Sequence, residues 1–389
     1  GPMREGWRYG VMGEVGRWGG RMGCGKGRQV VVFTAKHLGD VLHSVGLLRR
    51  VRGAVGERRR VVWLVGAWSE MVARKVGKGI VDEVRVFSPT WGNQVRGTAQ
   101  GGQSAWAQWR LAWQLRGEGT EVLIQTGMED PAGRFLANVV RPKVWVALGD
   151  RRPPRVAKDV EVRLQPYESR RYEAEALAGL AELAFPGRGG DDAPVWLEWK
   201  VSEEERARAR AFLASEGVGE GERFAVISPG SGSGVKNWAP DRFGAVAEWL
   251  TKVEGMRVAW VGTAGERVLK PAGREGDWDW MGRTELGLLG ALLEGAGVWV
   301  GNDSGVMHLA AAVGCPTVSV WGPTEPEKWA PRGEKHRWVR QWERCPGCVY
   351  WDFRIPCRRG DHACMEAVGV EEVMQKVRLV IGRGSGISG

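Results

Sequence analysis

Residues 298–314 read Val298-Trp299-Val300-Gly301-Asn302-Asp303-Ser304-Gly305-Val306-Met307-His308-Leu309-Ala310-Ala311-Ala312-Val313-Gly314. A short apolar run ends at Gly301 and a helix-forming stretch follows, so the segment reads as strand, tight turn and helix. Asp303 or Ser304 can cap that helix, and Gly305 lets a ligand approach the backbone closely. Unpaired amides and the helix dipole at such a start hold an anion, a diphosphate included, without a metal. A second apolar run, Thr317-Val318-Ser319-Val320, leads into Trp321-Gly322-Pro323-Thr324-Glu325-Pro326, and its turn is expected beside the first.

The same alternation extends back along the chain. Val30-Val31-Val32-Phe33, Val61-Val62-Trp63-Leu64-Val65, Val84-Arg85-Val86-Phe87, Val122-Leu123-Ile124 and Val144-Trp145-Val146 are separated by helix-like spacers. Strands apolar on both faces with helical spacers predict a parallel sheet covered on both sides. The pattern breaks at Arg151-Arg152-Pro153-Pro154 and again across residues 185–192, which marks a domain junction. Ser202-Glu203-Glu204-Glu205 then reads as a capping box opening a helix to about Glu216. New strands follow at Phe224-Ala225-Val226-Ile227, Val258-Ala259-Trp260-Val261, Val298 and Thr317. The expected organisation is a remnant of an affinity tag and a flexible basic tail over 1–28, a Rossmann-like domain over 29–194, and a second Rossmann-like domain over 195–340, of which one can hold a nucleotide and the other an acceptor. A cysteine-rich segment and a C-terminal helix occupy 341–389. The fold class is α/β, and the carboxyl ends of the two sheets are expected to face one central cleft.

At 389 residues the chain exceeds what one hydrophobic core usually serves. The net charge of +10 implies an anionic partner: nucleic acid, acidic lipid head groups or a phosphorylated substrate. Arg49-Arg50-Val51-Arg52 and Arg58-Arg59-Arg60 read either as a binding patch or as a solvated helix face. The 59 glycines suit many short turns, and the 22 tryptophans suit sugar-stacking or interfacial surfaces. No apolar run approaches the roughly 20 residues that span a bilayer, and the start lacks a secretory apolar core. A cytoplasmic protein is expected, with peripheral contact at the inner membrane as an option.

Three motifs in order carry a resemblance. The Asn302-to-Ala312 run with its trailing Gly322-Pro323-Thr324 is similar to the signature of the family-9 glycosyltransferases, the ADP-heptose heptosyltransferases that build lipopolysaccharide. Leu38-Gly39-Asp40-Val41-Leu42 resembles that family's loop after the first strand, and Pro229-Gly230-Ser231-Gly232-Ser233-Gly234-Val235-Lys236-Asn237-Trp238 its donor loop. The resemblance runs from about Val30 to the C-terminus and implies the two-domain GT-B architecture. It also implies an inverting transfer of a heptose or related sugar from an ADP-sugar, ADP-heptose above all, to a hydroxyl of lipopolysaccharide core, another glycan or a protein. Where relatives often carry an arginine four residues before the motif aspartate, this chain has Lys36.

Within that family pattern Asp40 is the implied general base, although alone it also reads as a helix cap. Lys236, on a Gly/Ser-rich loop, is the ammonium that neutralises the leaving diphosphate, or else a solvated lysine. Ser231 and Ser233 add donors, and the helix starting at Asp303, Ser304 and Gly305 replaces a catalytic metal. Glu266 matches the family position that bonds the nucleoside, and Met281 and Gly282 match a loop beside the adenine. His308 either reaches a phosphate or is a buried structural histidine. Cys345, Cys348, Cys357 and Cys364 read as a thiolate set for structural iron or zinc, or as plain thiols. Some protein-modifying heptosyltransferases have a similar arrangement, with cysteine-bound iron near the C-terminus. Two other readings stay open: a GT-B sugar-nucleotide epimerase, and a basic module for nucleic acid or membrane surface, although no nucleic acid is expected as a partner. A homo-oligomer is also left open.

Overall fold

A computed structural model describes residues 28–34, 37–88, 103–128, 130–149, 154–188, 197–274, 276–341, 357 and 359–382. The tail over 1–27, Lys36, Cys345 and Cys348 lie outside the described residues. Two compact units meet in sequence between Leu197 and Glu198.

The first unit carries β1 (Gln29–Thr34), β2 (Arg60–Val65), β3 (Glu83–Val86), β4 (Thr120–Met128), β5 (Val144–Gly149) and β6 (Glu161–Pro166). The second carries β7 (Phe224–Ser228), β8 (Arg257–Trp260), β9 (Trp278–Asp279), β10 (Val298–Asn302), β11 (Thr317–Val320) and β12 (His336–Val339). Their orders are β3-β2-β1-β4-β5-β6 and β12-β11-β10-β7-β8-β9, and every neighbouring pair is parallel. Both are therefore the doubly wound Rossmann order, and the winding reverses between β1 and β4 and again between β7 and β10. These switch points are where such sheets take ligands. The chain is an α/β protein of the GT-B type.

Register explains the apolar runs. Val30 lies between Val61 and Val122, and Trp299 between Val226 and Thr317. Central strands with helices on both faces must be apolar on both sides, and β1, β7, β10 and β11 are buried throughout. Much of the tryptophan content belongs to this interior rather than to sugar-binding surfaces. Trp63, Trp145, Trp238, Trp260, Trp280, Trp299 and Trp321 are all fully buried.

Three strands, β6, β9 and β12, were not expected from the sequence. All three lie at or beside a sheet edge, and β6 is only half-buried, so polar residues interrupt its pattern. The capping box is present: Ser202 Oγ accepts from Glu205 N and Glu205 Oε2 accepts from Ser202 N, opening the helix Glu203–Ser215. Three arginines of the early clusters are tied into the fold, while Arg49 and Arg58 stay exposed. Arg52 pairs with Asp82 and donates to Ile80 O, Arg59 pairs with Glu121, and Arg60 with Glu83. Among the described residues no helix is long and apolar enough to cross a membrane.

Candidate active site

Four strand ends of the second sheet, in the spatial order β11, β10, β7 and β8, bring the motif loops together. Asn302, the last residue of β10, crosslinks two of them: its Oδ1 accepts from Trp238 N at 3.0 Å and its Nδ2 donates to Pro229 O at 2.7 Å. Being fully buried, it fixes the Pro229–Trp238 loop against the Asn302–Gly305 turn. One residue on, Asp303 Oδ2 accepts from Lys236 Nζ at 3.1 Å and from Thr324 Oγ1 at 2.7 Å. Lys236 sits in a short 3-10 turn, Gly234–Lys236, and its side chain is only 9% exposed. The alternative of a solvated loop lysine is thereby corrected. Lys236 is a buried cation held by a buried carboxylate, an arrangement stable only while both partners are present.

The helix after β10 is Gly305–Ala312, with Ser304 in the N-cap position. Ser304 makes no capping bond, and its hydroxyl is buried without a hydrogen-bond partner among the described residues. A buried hydroxyl in that state costs about 1–3 kcal/mol unless a ligand or water satisfies it. It lies where first-turn amides also lack partners. His308 is buried one turn further on.

Ser231 Oγ lies 2.7 Å from both Ser233 O and Asn237 Oδ1, so its hydrogen is used within the loop. Glu266 closes a second capping box, accepting from Thr263 N at 2.7 Å and from Thr263 Oγ1 at 3.0 Å. It also borders Gly230, where a Cβ would collide with the Glu266 carboxylate. Any larger residue there would have to displace the Glu266 carboxylate from its capping box. The Met281 side chain is fully buried in the core of this unit, while Gly282 N donates to Gly262 O and anchors the neighbouring turn.

The cysteine segment reaches the site from behind. A Cβ on Gly322 would meet Met365, and Cys364 Sγ at 3.2 Å, so the turn that presents Thr324 to Asp303 rests directly on residues 364–365. Burial works to raise the Cys357 thiol, but the amides of His362, Arg359 and Gly360 outweigh it and hold the thiol below its ordinary value. Cys315, buried elsewhere, is pushed up to about 12 by desolvation and is an inert core thiol. No cluster of three metal-ligating side chains occurs among the described residues, which omit Cys345 and Cys348.

In the first unit Asp40 lies at the matching switch point, after β1. It belongs to the first turn of the helix Leu38–Val55 rather than to a loop, and it is the third helical residue, not the cap. Its Oδ2 accepts from His37 N at 2.9 Å, and the residue is 8% exposed.

The model of glycosyltransferase family 9 (heptosyltransferase) matches residues 157–351, half of the chain, including the loops that carry Lys236, Glu266, Met281, Asp303 and Thr324. The chain belongs to glycosyltransferase family 9. A family relative, lipooligosaccharide heptosyltransferase 2 of Haemophilus influenzae, is 28% identical over 223 residues, covering 53% of this chain and 61% of that protein. The chain thus spans about three fifths of the length of that relative. Among solved structures, the family-9 glycosyltransferase of Veillonella parvula is similar in fold, with TM-score 0.71 and 18% identity over 94% of this chain and 100% of that one. A more distant fold match is the dodecameric iron-containing heptosyltransferase TibC in complex with ADP-D-beta-D-heptose, with TM-score 0.51 and 16% identity over 91% and 77%.

Asn302 and Thr324 are members of the candidate site that sequence reasoning left without a role. Both stood inside quoted motifs. Their contacts, to a loop 64 residues away and to a side chain 21 residues away, depend on strand order that no local pattern reveals.

Proposed function

We propose that this family-9 chain is an inverting glycosyltransferase that moves a heptose or related sugar from an ADP-sugar to an acceptor hydroxyl, with no metal at the diphosphate. The reading is carried by the buried Lys236–Asp303–Thr324 cluster beside the unpartnered Ser304 hydroxyl at the start of an anion-binding helix. Attack by the acceptor oxygen forms a bond to the anomeric carbon as the bond to the diphosphate oxygen breaks on the opposite face, which inverts that carbon. The Lys236 ammonium and the amides from Gly305 onward meet the charge growing on the departing diphosphate. Ser231, Ser233 and His308 line the same phosphate side, and Glu266 with the Met281-Gly282 turn is assigned to the nucleoside. The acceptor proton passes to Asp40. The first unit is assigned the acceptor: lipopolysaccharide core, another glycan or a protein. The names of the Haemophilus relative and of TibC with its bound ADP-heptose support the choice of donor.

ADP is expected to raise the melting temperature in the presence of a chelator. At about 100 times its Kd it contributes about 2.7 kcal/mol of stability. A shift that appears only with added magnesium would count against the metal-free cluster.

Cys345, Cys348, Cys357 and Cys364 are further proposed to hold a structural iron or zinc ion. The two described members suit the role: the amides around Cys357 favour its thiolate, the form that ligates metal, and Cys364 is buried against Gly322. The iron-containing description of TibC supports the same assignment. A bound ion would stiffen the support under Thr324 and take no part in transfer. About one iron or zinc per purified chain is expected, with a lower melting temperature in Cys364→Ser. A metal-free protein with all four thiols titratable would refute the site.

A further inference from the structure

The helix Ala105–Gly117, in the first unit, is built inside out for a surface helix. Its inward face is Gln108, Ala112 and Leu115, all buried. Its opposite face carries Trp106, Trp109 and Trp113, which are 74%, 44% and 55% exposed. Spacings of three and four residues put the three indoles on one stripe about 10 Å long. The other exposed large apolar side chains among the described residues, Met71, Val253, Val268 and Leu379, belong to other elements. Solvent-facing positions of a helix ordinarily carry charge, so a stripe of three tryptophans marks an interaction surface.

Charge says what covers it. Arg110 and Arg116 flank the stripe on its two sides, and neither makes an ion pair with a described residue, while the Arg116 guanidinium lies 5.1 Å over the Trp113 ring. Trp109 packs edge-on against Phe135 of the neighbouring helix Pro131–Val140, which adds an exposed Arg134. Neither helix contains a carboxylate. A second copy of the chain meeting this face symmetrically would bring arginine against arginine with no acidic side chain on either helix to receive it. A surface that is anionic outside and apolar just beneath satisfies both parts at once. Tryptophan rings settle at that boundary and arginines reach the phosphates above it.

We propose that this tryptophan face docks the chain on a bilayer surface carrying anionic phospholipid. The helix would lie in the plane of the head groups as a peripheral contact. The proposal does not depend on the transfer chemistry assigned above.

The test is co-sedimentation of the full chain with phosphatidylcholine vesicles, with and without phosphatidylglycerol. Binding is expected only to the anionic vesicles and should weaken with added salt. Trp106→Ser/Trp113→Ser should lower partitioning roughly tenfold or more, because the inserted apolar area is lost. Arg110→Gln/Arg116→Gln should lower it on the order of tenfold by removing the electrostatic part alone. Both variants should keep the parent melting temperature, since these side chains are exposed. Failure of the parent chain to sediment with anionic vesicles, or equal sedimentation of the parent and both variants, would overturn the proposal. A parent dimer that ignores vesicles and dissociates on the tryptophan substitutions would overturn it in favour of a second copy.

Discussion

Replacing Lys236 by alanine is expected to weaken ADP binding roughly 10²-fold while leaving adenosine binding nearly unchanged, because loss of one partner from a buried charge pair costs about 2–5 kcal/mol. In the proposed arrangement only the diphosphate meets the ammonium. The same change should lower stability, since the Asp303 carboxylate keeps its Thr324 hydrogen bond but loses its counter-charge at a site where the side chain is 10% exposed. Stranding a buried carboxylate costs about 3–5 kcal/mol, and that loss must be separated from the loss of ligand affinity. Lys236→Met/Asp303→Asn removes both charges and should recover most of the stability without recovering ADP affinity. Calorimetric titration with ADP and adenosine, beside thermal melts of both variants, checks the two effects. Equal losses for ADP and adenosine would reassign Lys236 to the fold.

How much of this was legible depended on burial. The central strands announce themselves because both faces of β1, β2, β7 and β10 are covered, and two-sided burial leaves an uninterrupted apolar run. The edge strands do not. In β6 the sequence Glu-Val-Arg-Leu-Gln-Pro alternates polar residues on a half-exposed edge, and β9 is two residues long. Such segments become strands only when a parallel neighbour supplies hydrogen bonds, which is tertiary information. Tryptophan misled for a related reason. Its amphipathic ring permits both core and surface, and most of the rings named in the fold fill sheet faces, while the solvent-facing set among the described residues is confined to one helix.

The site was legible as motifs but not as a network. The turn from Asn302 to Gly305 follows from local rules, namely a strand end, a small residue and a helix start. That Asn302 holds Trp238 and Pro229, and that Asp303 holds Lys236, follows from β10 lying beside β7, which strand order decides. Sequence rules treat lysine in a Gly/Ser-rich loop as solvated, because the burial that reverses this comes from a carboxylate 67 residues away.

Asp40→Asn is expected to reduce sugar transfer by roughly 10²-fold or more if deprotonation of the acceptor limits the reaction, since a positioned base supplies that order of acceleration. The substitution is chosen for what it preserves. Asp40 Oδ2 accepts from His37 N at the start of the helix Leu38–Val55, and the asparagine carbonyl oxygen can accept the same hydrogen bond. What it loses is the negative charge beside a helix N-terminus, worth about 0.3–1 kcal/mol, so the melting temperature should fall only slightly. Donor affinity should also hold, because the diphosphate is assigned to Lys236 and the Ser304–Gly305 turn. A base therefore separates from a structural cap by its pattern: large loss of turnover, little loss of stability, none of ADP binding. A cap alone gives a small stability change with near-normal turnover. Initial rates with ADP-heptose and an acceptor, alongside ADP titrations and melts, distinguish the two. Normal transfer by folded Asp40→Asn protein would remove Asp40 as the base and direct the search to Asp303, the carboxylate that already sits against Lys236.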